Sequence, residues 1–286
     1  MTTVLVGVDA EGEFVAALEL LAHLGIANVS VKLVHAVNCR SPIPLPDPKS
    51  EVAFNRVMEN IGLDALDAAM DEAARVKLRG KTAIVFGRAA DCWMGKARED
   101  EADVIAVCAK HYGKWSGSYL DSLTSTLAQG SPCSLLVAKE HETHRPVLAG
   151  AAVLALDGTM DSLRVVDRFI SIQPRGIHTV HVVVAYKIDD DVAAVMEKNP
   201  AALGGDVDRW FDEKLEEVCK AATDKLAAGY DATYRVVEAE PNDAIHAEME
   251  ATASDLLVIG SSGHIGRVAL HQIGYERYPV FMLRTE

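Results

Sequence analysis

The sequence is poor in aromatic side chains, short of cations and without any long apolar run. Aromatic residues make up 6% of the 286 residues, while Ala and Val are frequent. Cores of that kind are built from helices laid on Val-rich strands. Lys and Arg number 28 against 42 Asp and Glu, a net charge of −14. The deficit is uneven. Residues 1–145 carry 15 cations against 19 carboxylates, and the remainder carries 13 against 23. An acidic surface repels a phosphate backbone, so no DNA or RNA partner is expected. A small phosphate-bearing ligand stays admissible, because a local cradle of backbone N–H groups can override the global field. No apolar stretch approaches the ~18–20 residues of a membrane span, so no membrane partner is expected either.

Cysteine is also scarce. The five residues Cys39, Cys92, Cys108, Cys133 and Cys219 are odd in number and show no C-x-x-C spacing. Cys108 and Cys133 sit in apolar runs and read as small buried hydrophobes. A disulfide framework is not expected, and a reducing cytoplasmic location is. Residues Met1–Glu13 have no basic stretch and only a short apolar run, so no secretory leader is expected.

What is present is a repeat. Val4-Leu5-Val6-Gly7-Val8-Asp9 returns as Val153-Leu154-Ala155-Leu156-Asp157. Asp103-Val104-Ile105-Ala106-Val107 returns as Asp255-Leu256-Leu257-Val258-Ile259. Pro132-Cys133-Ser134-Leu135-Leu136-Val137 returns as Pro279-Val280-Phe281-Met282-Leu283. The pairs keep their order at offsets of 148, 152 and 147 residues. A period that long is a whole domain, not a solenoid unit. The boundaries expected are 1–142 and 147–286, with a polar junction ending at Pro146.

Within each copy, short apolar strands alternate with helical patterns. Strands are expected near 3–8, 28–37, 81–86, 103–109 and 133–138, then near 151–157, 178–186, 232–238, 255–260 and 279–284. Helices are expected near 13–25, 50–79, 90–100 and 119–129. Val57, Ile61 and Ala65 recur every four residues and predict the buried face of the long helix. Phe211, Leu215, Val218 and Ala222 do the same in the second copy. Strands without polar alternation are covered on both faces, and alternating βαβ units make such sheets parallel and doubly wound. The last strands, near 133–138 and 279–284, are short and apolar. They are expected to pair within one chain as a pseudo-dimer, since each is otherwise an open edge.

Ligands of doubly wound sheets bind outside the carboxyl ends of the strands. Asp9 and Asp157 each close a first strand there. A carboxylate in that place accepts from a ribose or base, or caps the following turn. Gly260-Ser261-Ser262-Gly263-His264-Ile265-Gly266-Arg267 runs from the fourth strand of copy two towards a helix. Glycines there expose backbone N–H groups at the positive end of a helix dipole, which suits phosphate. They equally suit a tight turn, with Ser261 and Ser262 as turn residues. In copy one, Ala109 and Tyr112 are expected where copy two has Gly260 and Gly263. His178 and His181 lie three apart on a strand and face opposite sides, so they do not chelate one metal. No G-x-S-x-G elbow and no catalytic constellation is present.

Two copies with a strand-ending Asp, a glycine turn after the fourth strand and a Pro before the fifth resemble the universal stress protein family. The resemblance covers nearly the whole chain. It implies two tandem, doubly wound, parallel five-stranded sheets of Rossmann-like or flavodoxin-like type. It also implies an adenine nucleotide, ATP or AMP, held through Asp157, Gly260, Gly263, Gly266 and Arg267, with Asp9 as the first-copy equivalent. Family members that bind ATP carry G-x2-G-x9-G-[ST] after the fourth strand. Here Gly260-x-x-Gly263 fits the first half, but Gly266 follows too soon and Arg267 replaces Ser or Thr. Asp103 to Pro132 spans 29 residues, whereas Asp255 to Pro279 spans 24, a deletion in the phosphate loop. In copy one, Asp121-Ser122 stands at the family's Gly-[ST].

Three readings of function stay open at this level. The first is a stress-response regulatory protein with weak or no nucleotide binding that acts on a protein partner. The second is an ATP switch with at most slow hydrolysis, centred on copy two. The third is a carrier of an apolar or lipid-like ligand. A homodimer is compatible with all three.

Overall fold

The computed structural model describes residues 1–39, 41, 43–109, 122–139, 150–189, 196, 207–262 and 265–285. The first half runs β1 (Thr2–Val8), α1 (Phe14–Leu24), β2 (Val29–Val37), α2 (Pro48–Arg75), β3 (Gly80–Phe86), α3 (Ala89–Glu99), β4 (Val104–Ala109), α4 (Ser122–Gly130) and β5 (Ser134–Lys139). The second repeats it: β6 (Ala151–Leu156), a 3-10 turn (Met160–Ser162), α5 (Leu163–Ile172), β7 (Thr179–Tyr186), α6 (Val207–Leu226), β8 (Asp231–Glu238), α7 (Pro241–Ala251), β9 (Leu256–Ser261), α8 (Arg267–Tyr275) and β10 (Val280–Arg284). The expected junction falls within 140–149, outside the described residues.

All ten strands lie in one sheet, ordered β3-β2-β1-β4-β5-β10-β9-β6-β7-β8. Each half is parallel, and the halves meet antiparallel through Val280↔Val137, Phe281↔Leu136 and Met282↔Leu135. The expected pairing of the two last strands is therefore present, and it covers the edge that each of them would otherwise leave open. One helical layer, α1, α2, α5 and α6, buries a core that runs across both halves, from Leu18 and Leu21 to Phe169 and Val218. The other layer, α3, α4, α7 and α8, buries Trp93, Leu127, Ile245 and Ile273.

Two reciprocal cations clasp the join. At the end of β5, Lys139 donates its Nζ to the Ile273 carbonyl in α8. At the end of β10, Arg284 donates from Nη1 to the Ser131 carbonyl just past α4, 2.7 Å away. Each reaches the carbonyl-rich end of the other half's last helix, where positive charge is favoured. Burial pulls the Lys139 ammonium pKa down to about 8. On the α1 and α5 side the two helix ends zip together. Ala27 N donates to the Gln173 carbonyl at 3.3 Å and Gly176 N donates to the Leu24 carbonyl at 2.9 Å.

The long helix differs from its sequence reading in two respects. It ends at Arg75 and not near 79, because Lys77 turns left-handed at φ 62°. Leu78 N then bonds to the Ala73 carbonyl and Lys77 N to that of Ala74. That is a Schellman stop made without glycine. Its buried face is Ala65, Leu66, Ala69 and Ala73, while Val57 and Ile61 are exposed. The helix overhangs the sheet with its first half, so the apolar spacing there meets no layer beneath it. Its start is firm: Asp47 Oδ1 accepts from Lys49 N and Ser50 N at 2.8 and 3.1 Å, ahead of Pro48. α4 begins at Ser122, and 119–121 of its expected range lie outside the described residues. No helix among the described residues is long and apolar enough to cross a membrane.

Candidate functional site

The carboxyl ends of β6, β7 and β9 open into a crevice of about 480 Å³, lined by Asp157, Ile245, Gly260, Ser261, Gly266 and Ala269 among others. That volume is ordinary for a small-molecule site. Asp157 stands at its rim, just past β6. Its Oδ1 accepts from the N and Oγ1 of Thr159, at 2.9 and 2.7 Å. Thr159 Oγ1 accepts in turn from Ser162 N at 3.3 Å and starts the 3-10 turn. The loop thus fixes the carboxylate through one oxygen. Asp9 does the same in the first half, where its Oδ1 accepts from Glu11 N at 2.7 Å and Glu13 N at 3.2 Å. Both aspartates are turn-formers, and Asp157 also borders open space.

Gly260 lies in the floor of the crevice. A Cβ there would come within 2.3 Å of Val165 Cγ2 on α5. Helix packing by itself therefore requires glycine at this position. Gly266 is extended and stands at the N-cap of α8, where it has no side chain to cap the first turn. Gly266, Val268 and Ala269 all line the crevice. Arg267, the first residue of α8, is exposed and is not among the residues that line the crevice. Gly263 lies outside the described residues. α8 is locked onto α7 from behind: the fully buried Gln272 donates to Asn242 Oδ1 at 3.0 Å and accepts from the Tyr278 hydroxyl at 2.5 Å.

The residue that sequence reasoning missed is Ser261. It ends β9, is 4% exposed, and lines the crevice. Its Oγ is buried with no hydrogen-bond partner among the described residues. A buried hydroxyl without a partner carries a desolvation cost that a ligand can relieve.

Among the described residues the first half is filled differently at the equivalent place. α3 and α7 are both eleven residues long, and their superposition puts Trp93 where the second half has Ile245. The Trp93 ring lies so close to Gly7 that a Cβ there would meet it at 2.5 Å. Gly7 in turn corresponds to Ala155, which lines the second-half crevice. The indole, 4% exposed, therefore occupies the room that Ala155 and Ile245 leave open. The strand register also corrects the expected match of Ala109 with Gly260. Val4 pairs with Val104, and its counterpart Ala152 pairs with Leu256. Cys108 is thus the counterpart of Gly260, and Ala109 that of Ser261. Tyr112 and Asp121 lie outside the described residues. Among the described residues, no group of three or more His, Cys, Asp or Glu side chains is placed to hold a metal.

A family model, the Universal stress protein family, matches residues 1–139. Those residues belong to the universal stress protein family. The universal stress protein fold extends over the rest of the chain. A crystal structure of a universal stress protein from Archaeoglobus fulgidus DSM 4304 aligns with 99% of this chain and 98% of its own, at 13% identity and a TM-score of 0.71. A functionally unknown protein from Pseudomonas aeruginosa PAO1 aligns with 100% of this chain and 93% of its own, at 15% identity and a TM-score of 0.63. No curated protein sequence matches the chain.

Proposed function

We propose that this protein is a stress-response binding protein of the cytoplasm whose second half holds an adenine nucleotide, weakly, in the crevice between Asp157 and Gly260. The observation that carries the reading is the Ser261 hydroxyl, which has no partner among the described residues and is buried at an open crevice near the glycine N-cap of α8. Asp157 meets the ribose or base, and the backbone around Gly260, Gly263 and Gly266 meets phosphate, with Arg267 offsetting charge. The unit involved is residues 147–286. The first unit, residues 1–142, keeps Asp9 but fills its crevice with Trp93, and serves as a structural half. The protein then acts through a partner that senses the occupied second half.

The lining argues against a strong triphosphate site. Asp157 and Asp161 both border the crevice, and the loop between Asp255 and Pro279 is five residues shorter than its first-half equivalent. Each charge-assisted bond to phosphate is worth about 1.5–3 kcal/mol, and each ~1.4 kcal/mol is tenfold in affinity. Two lost bonds cost on the order of a hundredfold. Calorimetric titration of ATP and AMP side by side tests this. The expected result is one site, high-micromolar affinity for both, and no detectable hydrolysis. Low-micromolar ATP with a clear preference over AMP would instead support the ATP switch.

A further inference from the structure

The ten-stranded sheet ends in β3 on one side and in β8 on the other. β8 pairs with β7, and no strand among the described residues covers its outer side. Asp231 N donates to the His178 carbonyl at 2.8 Å, and Ala239 N to that of Tyr186 at 2.8 Å. In a parallel ladder each residue turns its N–H and C=O to the same neighbour, and the next residue turns them away. The odd residues of β8 therefore serve β7, while Ala232, Tyr234 and Val236 turn theirs outwards. Native edge strands are blunted by Lys, by Pro or by a bulge. β8 contains neither Lys nor Pro, and its register with β7 runs unbroken from Asp231 to Glu238.

The two ends of the sheet differ in charge. Residues 79–88, which hold β3, carry Arg79, Lys81 and Arg88 and no carboxylate, so this edge repels a copy of itself. β8 carries both signs on one face. Asp231 and Arg235 are four residues apart and point to the same side of the sheet as Thr233 midway between them. Both are exposed. Among the described residues Asp231 makes no ion pair, and Arg235 is held by Nη1 alone, to Glu248 Oε2 at 3.4 Å. A twofold axis through Thr233, normal to the sheet, sets a second β8 antiparallel to the first. Asp231 then faces Arg235 of the second copy, and Arg235 faces its Asp231. Ala232 and Tyr234, with their outward backbone groups, become the hydrogen-bonded pairs. The charge pairs fall at the sites between, where opposed side chains come closest. A register centred on Arg235 would instead set arginine against arginine.

We infer that the β8 edge is an interface between two copies of this chain, which join about that axis into one continuous sheet. The assignment stands apart from the nucleotide reading, since no β8 residue lines the crevice. Sedimentation velocity of the full chain over a range of micromolar concentrations tests it. The expected species at high concentration has twice the 30.8 kDa mass of the monomer. Asp231→Lys sets like charges opposite each other twice and should weaken dimerisation about a hundredfold or more. Arg235→Asp should do the same. An equimolar mixture of the two variants restores opposite charges at both places and should dimerise again. Arg235→Asp also gives up the bond to Glu248, so Tyr234→Pro supplies a second route: it removes an outward N–H that the monomer leaves open, where proline is tolerated. It should abolish the dimer. Lys81→Ala on the β3 edge should change nothing. A wild-type monomer at high micromolar concentration, a dimer that survives Asp231→Lys and Tyr234→Pro, a dimer lost in Lys81→Ala, or a mixture of folded variants that stays monomeric would each overturn the assignment.

Discussion

At Ser261 a hydroxyl is buried at the end of a strand with no hydrogen-bond partner among the described residues. Removing a buried polar group that has no partner relieves its desolvation cost, about 1–3 kcal/mol at most. Ser261→Ala should therefore raise the stability of the ligand-free protein by about 1 kcal/mol in urea unfolding. The same change should weaken AMP about tenfold. A variant that is less stable and binds AMP normally would show the hydroxyl to be structural. The sequence made Asp157 legible, because a carboxylate after an apolar strand has few roles. Ser261 was not legible, since a serine after a strand is most simply a turn residue and only the fold shows it buried at the edge of a crevice. Trp93 was within reach of the sequence. It matches Ile245 at the same offset as Asp103 and Asp255, but a lone Trp in a helix has no local signal of what it fills.

Among the elements, strands were read almost to the residue, because buried parallel strands are unbroken apolar runs. The long helix was read less well. Periodicity locates an apolar face but not how far the sheet extends beneath it, so Val57 and Ile61 fell on the overhang. The contact between helix ends could not be read at all. It rests on Gly176, where an added Cβ would stand 1.8 Å from the His23 carbonyl oxygen. That obstacle is backbone and cannot rotate away. Gly176→Ala should push the two halves apart at the α1 and α5 ends and cost about 2–4 kcal/mol in urea unfolding. Gly229→Ala, where nothing lies within 4 Å, should stay within about 0.5 kcal/mol. Equal effects of the two would show that the zipped helix ends contribute nothing to stability.

For the molecule as a whole, duplication has produced one continuous sheet with two unlike ends. Pairing of β5 with β10 covers one edge of each half and leaves β3 and β8 at the ends of the sheet, and the Lys139 and Arg284 clasps repeat across the pseudo-twofold axis. The symmetry breaks wherever a ligand could sit. Among the described residues Trp93 packs against Gly7 in the first half, where Ile245 borders the open crevice of the second. This pattern fits one half kept as scaffold and the other as receptor. The measurement that reaches this claim most directly is a crystal structure grown with millimolar AMP. The nucleotide should lie in the second-half crevice, its ribose or base near Asp157 and a polar atom bonded to Ser261 Oγ, with Trp93 unmoved against Gly7. AMP bound beside Asp9 with Trp93 displaced, or both crevices empty at saturating nucleotide, would contradict the account.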